Sequence, residues 1–253
     1  MPADNKQKVV DLLKSLETGD REPFSYINPN KYIQHNLNVA DGPAGVAALV
    51  KSLPAETKVN TIRVFQDGDF VFAHTEYDFF GPKIGFDIFR FEDDLIVEHW
   101  DNLQATAPEP SPSGHSMTDG PTAAGQLDHT EANKALMRRY MDDLLCGRRE
   151  TFPAYFNGIQ YIQHNPWVAD TIPGLLAGLQ ALAAEGRAVV YKTMHMVLGE
   201  GNFVLVVTEA DFGGVPTGIY DLYRIEDGKI AEHWDTLETI PPRAEWKNDN
   251  GKF

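Results

Sequence analysis

The strongest constraint on this chain is that its sequence runs through nearly the same pattern twice. Tyr32–Asn36 (YIQHN) recurs as Tyr161–Asn165, 129 residues later. Gly68–Gly81 (GDFVFAHTEYDFFG) matches Gly201–Gly214 (GNFVLVVTEADFGG), and Phe86–Asp101 (FDIFRFEDDLIVEHWD) matches Tyr220–Asp235 (YDLYRIEDGKIAEHWD). Nine of the 16 positions in that last pair are identical. Three matches in the same order point to a tandem duplication rather than to shared strand composition. The reading divides the chain into a first copy, 1–105, a Pro/Gly/Ser-rich linker, 106–128, and a second copy, 129–253.

Each copy predicts the same order of elements. An amphipathic helix comes first, about Asn5–Glu17 with Val9, Leu12, Leu13 and Leu16 at helical spacing, then about Thr130–Leu145. Gly19 and Gly147 are the expected terminators, and Asp128–Glu131 reads as a capping box. The short YIQHN strand follows, then a helix opened by Asp41-Gly42-Pro43 or by Asp170 with Pro173. Alternating strands complete the copy, with tight turns at Glu92-Asp93-Asp94 and Glu226-Asp227-Gly228. Large apolar residues on both strand faces imply that helices cover one face. The other is expected to meet its sister sheet, so that the two copies pair within the chain as an internal pseudo-dimer, with a higher oligomer also possible. The fold class is therefore α+β: two tandem cone-shaped α+β barrel domains with curved antiparallel sheets and an internal pocket.

Strand parity nominates the polar residues that share an apolar face. Leu95, Val97, His99 and Asp101 lie on one side of their strand and Ile96, Glu98 and Trp100 on the other. Buried carboxylates and imidazoles are costly unless paired or solvated in a cavity. Two parallel sets of candidate catalytic residues result: His35, Asp87, His99 and Asp101, then His164, Asp221, His233 and Asp235. Tyr32, His74, Trp100, Tyr161 and Trp234 are the candidate substrate contacts, His74 having Val207 as its counterpart. The repeated HWD also has a purely architectural reading, and Arg90 and Arg224 read as partners of Glu98 and Glu232 across each hairpin.

Composition narrows the function classes. A net charge of −15 argues against nucleic acid or an anionic membrane as partner. The single cysteine, Cys146, rules out an intrachain disulfide framework and fits a reducing, cytoplasmic setting. The polar start MPADNKQKVVDLLK lacks the order of a signal peptide. No GxGxxG, P-loop, GxSxG or HExxH pattern occurs, so no cofactor is expected. His35, His74, His99 and Asp101 are of metal-ligand type but have no recognised spacing, and no metal is expected.

YIQHN, the Asp of DIFRFED and DLYRIEDGKI, and EHWD together resemble the SnoaL-like, polyketide cyclase-like family. That family lies in the nuclear-transport-factor-2-like superfamily, which also contains ketosteroid isomerase. The resemblance covers roughly residues 5–105 and 130–240, and Pro112–Gly120 also resembles tails seen in the family. It implies a cofactor-independent site in the mouth of a cone. There a base removes a proton α to a carbonyl and a polar group stabilises the enolate, as in aldol-type cyclisation or isomerisation. Asp87 and Asp221 fall where the isomerase places a protonated Asp that donates to an oxyanion. The isomerase's general base aligns with Asn36 or Asn165, which accept no proton at neutral pH. The base is therefore expected to be His35/His164 or His99/His233, with Asp101 and Asp235 orienting it or acting as acid. A non-catalytic module binding a hydrophobic small molecule is the alternative.

Overall fold

The computed structural model describes residues 3–107 and 111–253, so Pro108–Pro110 of the expected linker lie outside the described residues. It divides into two compact units, Met1–Ala105 with Pro241–Phe253, and Thr106–Ile240. The segment after each copy thus does not behave as the expected division has it. Residues 106–128 cluster with the second unit, and the last 13 residues cluster with the first.

In the first unit, α1 (Asn5–Thr18) starts at Asp4, whose carboxylate accepts from the Gln7 N–H at 2.8 Å, and stops at Gly19 with φ 71°. The apolar stripe Val9, Leu12, Leu13 is buried. Strands β1 (Ile33–Gln34), β2 (Lys58–Asp67), β3 (Phe70–Asp78), β4 (Pro82–Glu92) and β5 (Leu95–Ala105) form one sheet in the order β1-β5-β4-β3-β2, with α2 (Gly42–Ser52) between β1 and β2. Four strands make the expected antiparallel meander, but β1 pairs parallel to β5, so the sheet is mixed. The β4–β5 turn has Asp93 and Asp94 at φ 48° and 64°, the two positive values that a two-residue turn of this hand needs. Between Arg90 and Phe91 the register slips by one residue opposite Val97. The bulge moves Ile96, expected on the face away from His99, into the same cluster as Phe89 and Phe91.

The second unit repeats this plan. Its α3 (Thr130–Leu145) and α4 (Thr171–Ala184) accompany β6 (Ile162–Gln163), β7 (Val189–Glu200), β8 (Phe203–Phe212), β9 (Val215–Glu226) and β10 (Lys229–Thr239), in the order β6-β10-β9-β8-β7. Here β6 pairs parallel to β10. The expected capping box does not form. A turn of 3-10 helix, Leu127–His129, leads into α3, and Thr130 Oγ1 donates to the Leu127 carbonyl instead. Nor do Asp41 and Asp170 cap their helices with their side chains. Their carboxylates accept from the backbone N–H of Gln34 (3.0 Å) and Gln163 (2.8 Å), tying each short strand to the helix that follows it.

Each core lies between the first helix of the copy and one face of its sheet. Val9, Leu12, Leu13, Ile27, Val71, Tyr77 and Phe89 pack there in the first unit. The second unit has Met137, Tyr140, Met141, Phe156, Val204 and Tyr223. Full burial of each such side chain contributes about 1.5–3 kcal/mol. Gly45, inside α2, is held so close to the chain that a Cβ there would overlap the Ala40 carbonyl. The counterpart Gly174 is less tight, at 2.8 Å from the Ala169 carbonyl. Gly45→Ala is therefore expected to destabilise by about 1–3 kcal/mol, and by more than Gly174→Ala, in denaturant titrations followed by circular dichroism. Equal stability of Gly45→Ala and the parent would contradict the close approach.

Candidate active site

The two-residue strand β1 determines which groups face the core. Ile33 sits opposite Glu98 and Gln34 opposite His99, so Gln34 and His99 share the helix-covered face. The backbone N–H of Asn36 donates to Gln34 Oε1 at 2.9 Å, which identifies that atom as the amide oxygen. His99 Nδ1 lies 3.0 Å from the same oxygen and so must carry a hydrogen. Its Nε2 then faces Asp87 Oδ1 at 3.3 Å. Either the imidazole is charged there, or Asp87 is protonated and donates.

Burial is the main cause that raises the Asp87 carboxyl pKa, and it outweighs the hydrogen bond and charge of His99. Asp101 lies directly across the β4–β5 pair from Asp87 and adds to the rise. The other oxygen of Asp87 accepts from the Tyr77 hydroxyl at 2.6 Å. Asp101 Oδ2 accepts from Asn36 Nδ2 at 2.5 Å, while its Oδ1 is buried without a hydrogen bond. Ligating atoms of Asp87, His99 and Asp101 all fall within 4.8 Å of one another.

These groups form the polar end of a cavity of about 100 Å³. Tyr32, Gln34, Asn36, Tyr77, Asp87, His99 and Asp101 contribute to its wall. The remainder is apolar, with Leu12, Leu16, Phe24, Val46, Leu53 and Phe89. An apolar chamber with a few convergent polar groups at one end suits a small organic ligand.

The second copy keeps the relay and changes its surroundings. Gln163 Oε1 accepts from the Asn165 N–H at 2.9 Å and from His233 Nδ1 at 2.8 Å, and His233 Nε2 meets Asp221 Oδ1 at 2.8 Å. Burial alone would lower the His233 pKa, but the hydrogen bond to Asp221 and the charges of Asp235 and Asp221 raise it. Val59 and Tyr77, paired across β2 and β3, correspond to Tyr191 and Ala210 across β7 and β8. Leu12 and Phe89 correspond to Tyr140 and Tyr223. With its tyrosine moved, Asp221 has one buried oxygen without a hydrogen bond, as does Asp235. Burial pushes the Asp235 carboxyl up to about 6.

Five expected site residues prove to lie on the sheet face opposite the helix-covered one. His35 alternates with Gln34 onto the side of Glu98 and stacks on Trp100 with ring centroids 4.7 Å apart. Its Nε2 meets Glu98 Oε1 at 3.0 Å, and Glu98 is held in turn by Arg90 Nε at 2.7 Å. His164 does the same against Trp234 (4.5 Å) and Glu232 (2.9 Å), with Arg224 behind it (2.6 Å). Trp100 and Trp234 are thus packing surfaces for histidines on the face opposite the pocket, because they alternate with His99 and His233. His74 lies on that opposite face as well, hydrogen-bonded with Arg63 at 3.1 Å and stacked on Phe86. Tyr32 does line the pocket, and Tyr161 is buried beside Phe156 and His233.

Gln34, Gln163 and Tyr77 are site residues that the sequence reading passed over. The first two stood inside the quoted YIQHN repeat, and the register of β1 on β5 decides that Gln34 rather than His35 faces the pocket. Three groupings of His and carboxylate come close enough for a cation among the described residues: Asp87/His99/Asp101, Asp221/His233/Asp235 and His115/Asp119/His164. In each, both nitrogens of every imidazole already meet protein oxygens, so a cation would have to displace a hydrogen bond.

The sequence matches no protein-family model and no curated protein. Solved structures similar to single copies include IdmH from Streptomyces antibioticus, described as a "putative polyketide cyclase". It is 16% identical, with TM-score 0.36, covering 40% of this chain and 92% of its own. TsrD from Streptomyces laurentii is 21% identical, with TM-score 0.34, covering 40% and 91%. An NTF2-like protein from Cytophaga hutchinsonii is 16% identical, with TM-score 0.33, covering 42% and 89%. Each of these is similar to one copy of this chain, which consists of two tandem α+β domains. No helix among the described residues is long and apolar enough to cross a membrane.

Asp235 gives a prediction with a definite sign. Its carboxyl rises from an ordinary 3.8 to about 6 on folding, so the folded state binds the proton more tightly and loses stability as pH climbs from about 4 to about 6. Asp235→Asn keeps an acceptor for Asn165 and removes that cost. It is expected to be more stable than the parent by up to about 3 kcal/mol at pH 7, with the gap closing near pH 4. Urea titrations at the two pH values check this, and a variant less stable at pH 7 would refute it.

Proposed function

We propose that the first copy is a cofactor-independent acid–base site for a small carbonyl compound, of the kind that performs aldol-type cyclisation or isomerisation. The observation that carries the reading is the division of labour between two neighbouring carboxyls at the end of an apolar cavity. Asp101 offers a buried oxygen with no hydrogen bond, placed to remove a proton α to a carbonyl. Burial raises the Asp87 carboxyl, which favours its protonated form, and either Asp87 or Tyr77 would hydrogen-bond the enolate oxygen by turning its proton away from its present partner, His99 or Asp87 respectively. His99 is less suited to be the base than the sequence reading expected, since both its nitrogens are engaged by Gln34 and Asp87. The second copy, with tyrosines in place of Leu12, Phe89 and Val59, is read as the structural partner of the working one.

The test is proton–deuterium exchange into a panel of β-dicarbonyl compounds, followed by NMR. Exchange above buffer is expected, falling about 100-fold or more in Asp101→Asn and persisting in Asp235→Asn. Gln34→Leu, which frees the His99 ring to change tautomer, is expected to reduce exchange about tenfold or more. Saturable binding with no exchange by any compound would favour the binding-module alternative. Loss of exchange in Asp235→Asn alone would assign the chemistry to the second copy.

A further inference from the structure

The chain's last residues enter the first copy's site from outside the repeat. The Lys247 N–H donates to the Leu37 carbonyl at 2.8 Å, and Asn248 Nδ2 donates to the carbonyls of Asn36 (2.8 Å) and Val39 (2.9 Å). Asn250 Nδ2 donates to the Gln34 carbonyl at 3.0 Å and to Asp41 at 2.8 Å. The Gly251 carbonyl accepts from His35 Nδ1 at 2.9 Å. The tail is thereby held along the loop that carries Gln34 and Asn36, the side chains that fix His99 and Asp101. The next residue is Lys252. Its ammonium donates to the Asp101 carbonyl at 2.7 Å and stands 3.9 Å from Asp101 Oδ1, with only 5% of the side chain exposed. An ammonium is costly to bury without an opposite charge nearby, and the charge here is the Asp101 carboxylate.

The second copy supplies an internal comparison, because residues 111–119 lie on it in the same way. His115 meets Asp170, the counterpart of Asp41, at 3.2 Å. The Ser116 carbonyl accepts from His164 Nδ1 at 2.8 Å, as the Gly251 carbonyl does from His35. In that register Asn250 matches His115, Gly251 matches Ser116, and Lys252 matches Met117, which is equally buried. The duplication therefore extends to the straps, and the position that brings Lys252 to Asp101 in the first strap is a methionine, Met117, in the second.

We propose that the C-terminal tail is part of the first copy's site, with Lys252 a positioning residue whose buried ammonium holds Asp101 ionised and ready to accept a proton. The other groups around Asp101 act as follows. Asn36 donates to its far oxygen. Asp87, across the strand pair, disfavours a second negative charge beside it. His99 is occupied by Gln34 and Asp87, and Tyr32 is a buried neutral hydroxyl in the same wall. Lys252 decides which of the two carboxyls carries the charge. Met117, at the matching position of the second strap, brings no charge. This assignment rests on the reading of Asp101 as the base, although the titration it predicts does not depend on turnover.

The experiment is a carbon-13 NMR titration of the Asp101 and Asp235 carboxyls in the full chain. Lys252→Met is expected to raise the Asp101 midpoint by about 1 to 3 pH units, and Lys252→Arg to bring it back. The acid limb of the exchange–pH profile should move with it. Met117→Lys is the converse test, expected to lower the Asp235 midpoint by at least about 1 pH unit and independent of whether Lys252→Met folds. An unmoved Asp101 in a folded Lys252→Met protein, no recovery with Lys252→Arg, or an unmoved Asp235 in folded Met117→Lys overturns the proposal. If the midpoints move as stated but no carbonyl compound exchanges, the role of Lys252 stands and the reading of Asp101 as a base falls.

Discussion

The parallel pairing of a two-residue strand decides almost everything about this site. Opposite Glu98 and His99, β1 has room for only Ile33 and Gln34 before the chain turns. That register puts one amide oxygen against His99 and sends the neighbouring imidazole to the far side of the sheet. The Asn36 N–H fixes the orientation of Gln34, and Gln34 fixes a hydrogen on His99 Nδ1, which leaves Nε2 to face Asp87. The same chain of constraints recurs through Gln163, Asn165, His233 and Asp221. Asp41 and Asp170 hold the short strands in register by accepting from the N–H of Gln34 and Gln163, a use of the carboxylate that outweighs helix capping.

Burying such a relay costs free energy, and the two copies meet the cost differently. In the first, Tyr77 donates to Asp87 and the cavity beyond is lined by aliphatic and phenyl groups. In the second, exchanging Val59/Tyr77 for Tyr191/Ala210 removes that donor and crowds hydroxyl-bearing rings around Asp221. Identical motifs therefore sit in unlike dielectric and steric surroundings. The repeated HWD combines two functions in three residues: His and Asp face the core, while Trp between them carries the stacked histidine of the opposite face.

The duplication, the α+β element order, the helix ends at Gly19 and Gly147, and the inward set Asp87, His99, Asp101 were legible in the sequence. All of these rest on local periodicity or on repetition. His35 and His164 were misplaced because the parity of the short strand was assigned to the wrong face: Ile33 and His35 share the side of Glu98, and Gln34 and Asn36 share the side of His99 and Asp101. Ile96 was misplaced because a bulge adds a residue to β5 opposite the Arg90–Phe91 step. The straps were invisible as a repeat, since their shared contact to His35 and His164 is made by a backbone carbonyl, which constrains no side chain.

The sequence by itself determined that there are two copies, what elements each contains, and which apolar stripes pack, because hydrophobic period and turn chemistry act over a few neighbouring residues. Only the tertiary structure decided which member of each Gln–His pair faces the pocket, which carboxyls are buried together, and which distant segment lies beside them. Those outcomes depend on register between strands about 65 residues apart in sequence and on a tail about 150 residues from Asp101. They are matters of burial and distance, which no local pattern encodes.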